Sequence, residues 1–138
     1  MSENPILHNK FGNESASESE IEDCFVELFE EDFPLLPDDY VRFLRIHNGW
    51  SFNGISLFGT HRVDHICSLP EGNRNYCRTQ NLDGRLVLGT KDDELILFDW
   101  EKHEYQMADR MDGMVFDVFE NFASLWAFVN RGSDQNSD

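Results

Sequence analysis

The 138-residue chain is 40% apolar and 13% aromatic, enough for one domain whose core hides about two-thirds of its unfolded surface. Its 11 Lys and Arg stand against 27 Asp and Glu, and a formal net charge of −16 repels phosphate backbones, arguing against nucleic acid and for basic proteins as partners. No apolar run approaches the roughly 20 residues a membrane helix needs, and residues 1–20 lack the basic start and apolar centre of a signal peptide, so a cytoplasmic protein without membrane association is expected.

Residues 1–19 are rich in Ser, Asn and Glu and read as a disordered segment, and residues 131–138 read as a polar tail, leaving 20–130 as the folded unit. Ser19 followed by Glu22 fits a capping box for a first helix over about 20–31, with Ile21, Phe25, Leu28 and Phe29 on one apolar stripe. Eight acids and no Lys or Arg lie between Glu18 and Asp32. Three of them, Glu30, Glu31 and Asp32, sit at the helix C-terminus, where the macrodipole disfavours negative charge by about 0.3–1 kcal/mol each. Helix stability does not account for them. A solvated acidic face or a docking surface for a basic partner does, so the three form one candidate partner-binding group.

Pro37 suits the first position of a second helix, where its missing N–H is no loss, and Asp38 and Asp39 follow on the favourable side of the dipole. Tyr40, Val41, Leu44 and His47 share a face, with Phe43 beside it. Asn48-Gly49 stops that helix, Gly49 taking the left-handed position that a Cβ would strain. The stretch 54–58 alternates like a strand and ends at Gly59, Val63 to Ile66 reads as a short edge strand, and 71–83 reads as an irregular polar loop. Arg85 to Leu88 and Leu95 to Phe98 are continuous apolar runs suited to central strands buried on both faces. Glu104 to Met107 returns as a hairpin, and Val115 to Phe119 reads as a last strand. Asn121 then caps a terminal helix with Phe122, Leu125, Trp126 and Val129 on its stripe. This order predicts an α+β domain, an antiparallel β-sheet covered by N-terminal and C-terminal helices. Its expected core includes Phe25, Leu28, Leu44, Leu57, Leu86, Leu88, Leu97, Phe98, Leu125 and Trp126.

Catalytic and metal-binding patterns are thin. His61 and His65 lie four apart with Cys67 close by, but in a loop and edge strand rather than on one helix face, and without an evident fourth ligand. Cys24, Cys67 and Cys77 are odd in number and lack C-x-x-C spacing, which reads as reduced thiols. Asp109 to Gly113 holds too few acids for a calcium loop. Asp92, Asp93 and Glu94 could be drawn as paired carboxylates for acid–base work, but three adjacent acids in a β-turn read better as a solvated group, and they form the second candidate partner-binding trio. The expectation is a protein without catalytic activity, metal or cofactor.

Four stretches, LPDDYVRFLRIHNG, GISLFGT, RLVLGTKDDELILFDWEKHEYQM and FDVFENFASLWAFV, together resemble the SUKH superfamily, particularly its YrhA-like members. Members share a Leu-Pro-x-x-Tyr helix ending at Asn-Gly, a Leu-x-Gly strand, a sheet hairpin and a Phe-x-x-Phe closing helix. Leu36, Pro37, Tyr40, Leu44, Asn48 and Gly49 match the first element, and Leu57 and Gly59 the second, with the likeness spanning about residues 20–130. Where the family usually has a small residue after Asn-Gly, this chain has Trp50. The resemblance implies a single SUKH-like domain that serves as a bacterial immunity protein. Such proteins bind and neutralise a cognate polymorphic or contact-dependent toxin domain, often a nuclease, by protein–protein contact. The alternative it implies is a non-catalytic regulatory interaction module of the same superfamily. The acidity agrees with the first, because a nuclease needs a basic surface that an acidic cap can cover.

Overall fold

The computed structural model describes residues 14–52, 54–63, 66–77 and 84–136, with the backbone alone at 77 and 130–136. A capping box opens helix α1 (Glu18–Glu30): the Ser17 hydroxyl accepts from Glu20 N at 3.1 Å, and Glu20 Oε1 accepts from Ser17 N at 2.8 Å. The expected cap lay two residues later, at Ser19 and Glu22. Ser15, Ser17 and Ser19 each have a Glu three residues on, so local sequence leaves three frames open. A tertiary contact chooses among them: Ala16 is buried, and its N–H donates to Leu44 O at 2.8 Å. The buried face of α1 is accordingly Ile21, Cys24 and Leu28, with Phe25 only partly buried. Phe29, expected on that stripe, points out and is 73% exposed.

Helix α2 (Asp38–Leu44) starts one residue after Pro37, which holds the N-cap in extended conformation rather than the first helical position. Either place spares the missing N–H. Tyr40, Val41, Phe43 and Leu44 are buried, and the Tyr40 hydroxyl donates to Phe58 O at 2.6 Å. Gly49 has the expected left-handed φ of 102°, but it does not stop α2: the helix already ends at Leu44, with Arg45 as its C-cap, and Asn48-Gly49 turns the chain four residues further on. The buried Asn48 side chain ties this turn down, its Oδ1 accepting from Thr60 N at 2.6 Å and its Nδ2 donating to Thr60 Oγ1 at 2.9 Å. Gly59 packs against this amide so closely that a Cβ would lie 2.6 Å from Asn48 O. Asn48, Gly49 and Gly59 thus form a staple between the segment after α2 and the chain beyond it.

Six antiparallel strands lie side by side in chain order: β1 (Trp50–Phe52), β2 (Ile55–Leu57), β3 (Arg85–Lys91), β4 (Glu94–Asp99), β5 (Glu104–Asp109) and β6 (Val115–Phe119). The two apolar runs form β3 and β4, where Leu86, Val87, Leu88, Leu95, Ile96 and Leu97 are wholly buried, as central strands require. Val63 and Ile66 pair as an isolated antiparallel bridge rather than a strand. The three-residue β1 goes unannounced by alternation.

The polar stretch expected as a loop over 71–83 instead begins within helix α3 (Leu69–Cys77). Gly and two Asn give it poor helix propensity, and tertiary bonds override that. Ser68 Oγ accepts from Glu71 N at 3.1 Å. The wholly buried Asn73 donates to Leu69 O at 2.8 Å and Val87 O at 2.9 Å and accepts from Val87 N at 2.8 Å, fastening α3 to β3.

Helix α4 (Phe122–Asn136) is capped by Asn121, whose Oδ1 accepts from Ser124 N at 2.9 Å. Its backbone runs several residues into the segment expected as a polar tail. Phe122 and Trp126 close the core through an aromatic cluster with Tyr40, Phe43 and Trp50, the Trp50–Trp126 ring centroids lying 5.0 Å apart. Of the expected core residues, all but Phe25 are buried. Four helices and one antiparallel sheet make this an α+β protein. Among the described residues no helix is long and apolar enough to cross a membrane.

Candidate protein-contact site

The two acidic trios occupy separate elements. Glu30 ends α1, and Glu31 and Asp32 follow it in a tight turn in which Asp32 takes φ 63°. Glu31 is not idle there: with Glu27 it forms ion pairs to Arg74 of α3. That pair supplies the local reason for Glu31 that the helix dipole could not. Glu30 and Asp32 keep no such partner among the described residues, and the exposed Val26 and Phe29 stand beside them on α1. Asp92 and Asp93 make the β3–β4 turn, with Asp92 at φ 52° and its N–H donating to Gly54 O at 3.0 Å, and Glu94 opens β4. No hydrogen bond or ion pair joins one trio to the other among the described residues.

Of the conceivable metal cluster, His65 lies outside the described residues. His61 Nδ1 sits 3.2 Å from Thr60 Oγ1, 3.3 Å from Asn48 Nδ2 and 3.6 Å from Glu20 Oε2, within the polar network around Asn48. Cys67 accepts from the Arg62 guanidinium at 3.6 Å, and Arg62 also forms an ion pair with Glu71. Burial and the neighbouring Glu71 push the Cys67 thiol upward, and burial and Glu27 push Cys24 up to about 12, so neither environment favours a thiolate nucleophile.

A different surface stands out at β6. It pairs with β5 alone among the described residues, so one row of its backbone groups is a free sheet edge. Phe116 is 52% and Val118 53% exposed, and the preceding turn adds Met111 at 85% and Met114 at 60%. The turn is well built: Asp109 Oδ1 accepts from Met111 N at 2.6 Å, Asp109 N donates to Met114 O at 2.8 Å, and Gly113 takes φ 74°. Asp112, Asp117 and Glu120 fringe the apolar row, and no Lys, Arg or Pro interrupts 111–120. Sequence reasoning placed this strand but not its exposure. The available signal was topological: the last strand of a meander is an edge, and four of its five residues are apolar.

Where β6 ends at Glu120, a cleft of about 290 Å³ opens between the start of α2 and the β4–β5 hairpin. Asp38, Asp39, Arg42 and Glu120 line its polar side. Phe98, Trp100, His103 and Tyr105 line the other, packed mostly edge to face with Phe98 at their centre, its ring centroid 5.0 Å from Trp100 and 4.8 Å from Tyr105. His103 holds φ 56°, and the Trp100 indole N–H donates to Leu35 O at 2.6 Å. Asp39 is committed twice, to Arg42 at 2.8 Å and to the Phe122 N–H at 3.2 Å. Tyr105 is 2% exposed, and its hydroxyl has no hydrogen-bond partner among the described residues. Burial raises that phenol well above its ordinary range; Asp39 and Asp38 raise it further and Arg42 opposes them, so the hydroxyl feels the charges that line the cleft.

No protein-family model matches the chain, and no curated protein matches it.

Proposed function

We propose that this protein is a non-catalytic immunity protein that binds the basic toxin domain of a polymorphic or contact-dependent toxin and neutralises it by covering its active site or substrate groove. The observation that carries this reading is the β6 edge, a strand with free backbone groups and exposed Phe116, Val118, Met111 and Met114. Natural edges are usually blunted by Lys, Pro, brevity or a bulge, and this one has a bulge at Phe116 but neither Lys nor Pro over five residues. Contiguous exposed apolar side chains rimmed by polar ones mark contact surfaces. The fringe here is acidic on a chain of net charge −16, which selects a basic partner and speeds its encounter. The sequence resemblance to SUKH immunity proteins supports the same reading, and such a partner, if a nuclease, carries the basic surface that phosphate binding demands.

Co-expression with the C-terminal domain of each toxin encoded beside this chain tests the reading. Protection of the cells, lost when Phe116 and Val118 are changed to Glu, is the expected result. Cells that die as fast with the protein as without it, for every such toxin, overturn immunity and leave a regulatory interaction module in its place.

A further inference from the structure

We propose that the cleft between α2 and the β4–β5 hairpin is a receptor for one arginine side chain of the bound partner, its guanidinium held between Trp100, the Tyr105 hydroxyl and the carboxylates of Asp38 and Glu120. This rests on the reading of the molecule as a binder of a basic protein, and names where that protein's anchoring side chain enters.

The chemistry of the walls selects the ligand. The lining holds three carboxylates and one guanidinium, so it is net acidic. Asp39 is already engaged by Arg42 and the α4 N–H, whereas Asp38 and Glu120 have no ion pair among the described residues. The aromatic residues Phe98, Trp100 and His103, packed edge to face, line the same cleft, and a ring face there attracts a cation, an attraction worth more where water is excluded. A purely acidic patch would attract any counterion loosely. The buried Tyr105 hydroxyl adds the second, independent feature: a hydroxyl left without a partner costs stability, and its oxygen can accept a donor entering from the cleft. A guanidinium fits this mixture better than an ammonium. It is planar enough to stack on an indole, is more weakly hydrated, and spreads five donors in a fork that can reach a phenol oxygen and two carboxylates together. The cleft also adjoins the β6 edge through Glu120, so a partner docked along β6 passes its mouth.

The test uses the full chain labelled with ¹⁵N and titrated with N-acetyl-arginine amide, with the neutral citrulline analogue and N-acetyl-lysine amide as parallel arms. Arginine amide is expected to give saturable shifts at the Trp100 indole and the backbone of His103, Tyr105 and Glu120, with lysine weaker and citrulline silent. Glu120→Gln, an exposed change that leaves the fold alone, should weaken arginine at least about threefold. Tyr105→Phe should weaken it too while leaving the thermal midpoint unchanged or raised, because it removes an unpartnered buried hydroxyl. Shifts that rise linearly across the whole acidic surface, equal response to citrulline, or a Tyr105→Phe variant with a lower midpoint and unaltered binding would each overturn the site. Arginine binding without rescue from any neighbouring toxin keeps the site and removes immunity. A toxin complex whose affinity ignores Glu120→Gln and Tyr105→Phe keeps immunity and removes the site.

Discussion

The two edges of the sheet are treated in opposite ways. At one, β1 has three residues, and Trp50 is wholly buried against Trp126. The chain entering it is pinned by Gly49, by the Asn48 amide on Thr60, and by Asn48 N donating to Glu14 O at 2.8 Å. Little of that edge is left to recruit another strand. At the other, β6 is five residues long, apolar and exposed, and its only evident device against strand addition is a bulge at Phe116, where Met107 pairs with Asp117 and Ala108 with Val115. A chain that closes one edge with core and hydrogen bonds, and leaves the other open, concentrates its association risk at the edge to which the proposed function assigns the partner. Stability and binding should therefore separate between the two edges.

The largest effect belongs to the closed edge. Trp126→Ala removes the ring that packs on Trp50, Phe43 and Phe122, and should cost about 3–5 kcal/mol in urea unfolding. Asn48→Ala comes next at about 1–3 kcal/mol, because it strands the buried Thr60 N–H and frees the turn at Asn48-Gly49, and equilibrium unfolding reads it directly. At the open edge the effect changes kind. Phe116→Glu or Val118→Glu should shift stability by no more than about 0.5 kcal/mol yet weaken the toxin complex by about 2 kcal/mol, roughly 30-fold, in calorimetric titration. Phe52→Glu, on the closed edge, is the control and should leave affinity alone. The smallest effect is electrostatic. Glu30→Gln with Asp32→Asn, which keeps a residue tolerant of the left-handed turn at 32, should slow association about two- to fivefold at about 50 mM salt and hardly at all at about 500 mM.

Much of this architecture was legible because it rests on short-range rules. The left-handed turn at Gly49, the Asn121 cap and the buried runs of β3 and β4 all follow from local conformational preference or hydrophobic pattern, although α2 ends at Leu44, before the Asn-Gly expected to stop it. What escaped the sequence was decided at a distance. The three overlapping Ser-x-x-Glu frames before α1 are resolved only by Ala16 bonding to Leu44, and α3 exists because Asn73 reaches β3 across 14 residues. Phe29, expected on the apolar stripe, points out because the face of α1 is set by what it meets, Ile21, Cys24 and Leu28 being inward. The candidate site was less legible still. Glu30, Glu31 and Asp32 were conspicuous by charge, yet Glu31 serves Arg74. The exposed row on β6 and the cleft around Tyr105 depend on which strand is last in the sheet and on which turns meet α2, and neither leaves a motif.

The central claim is that the open edge is where a basic partner docks. Hydrogen exchange of the full chain, with and without the neighbouring toxin's C-terminal domain, tests it most directly, since a strand added to β6 must slow exchange of its free amides. The account predicts new protection concentrated at 111–120, with β1 unchanged. Protection confined to β1 or to the acidic ends of α1 and the β3–β4 turn, in a complex that nonetheless forms, would contradict it.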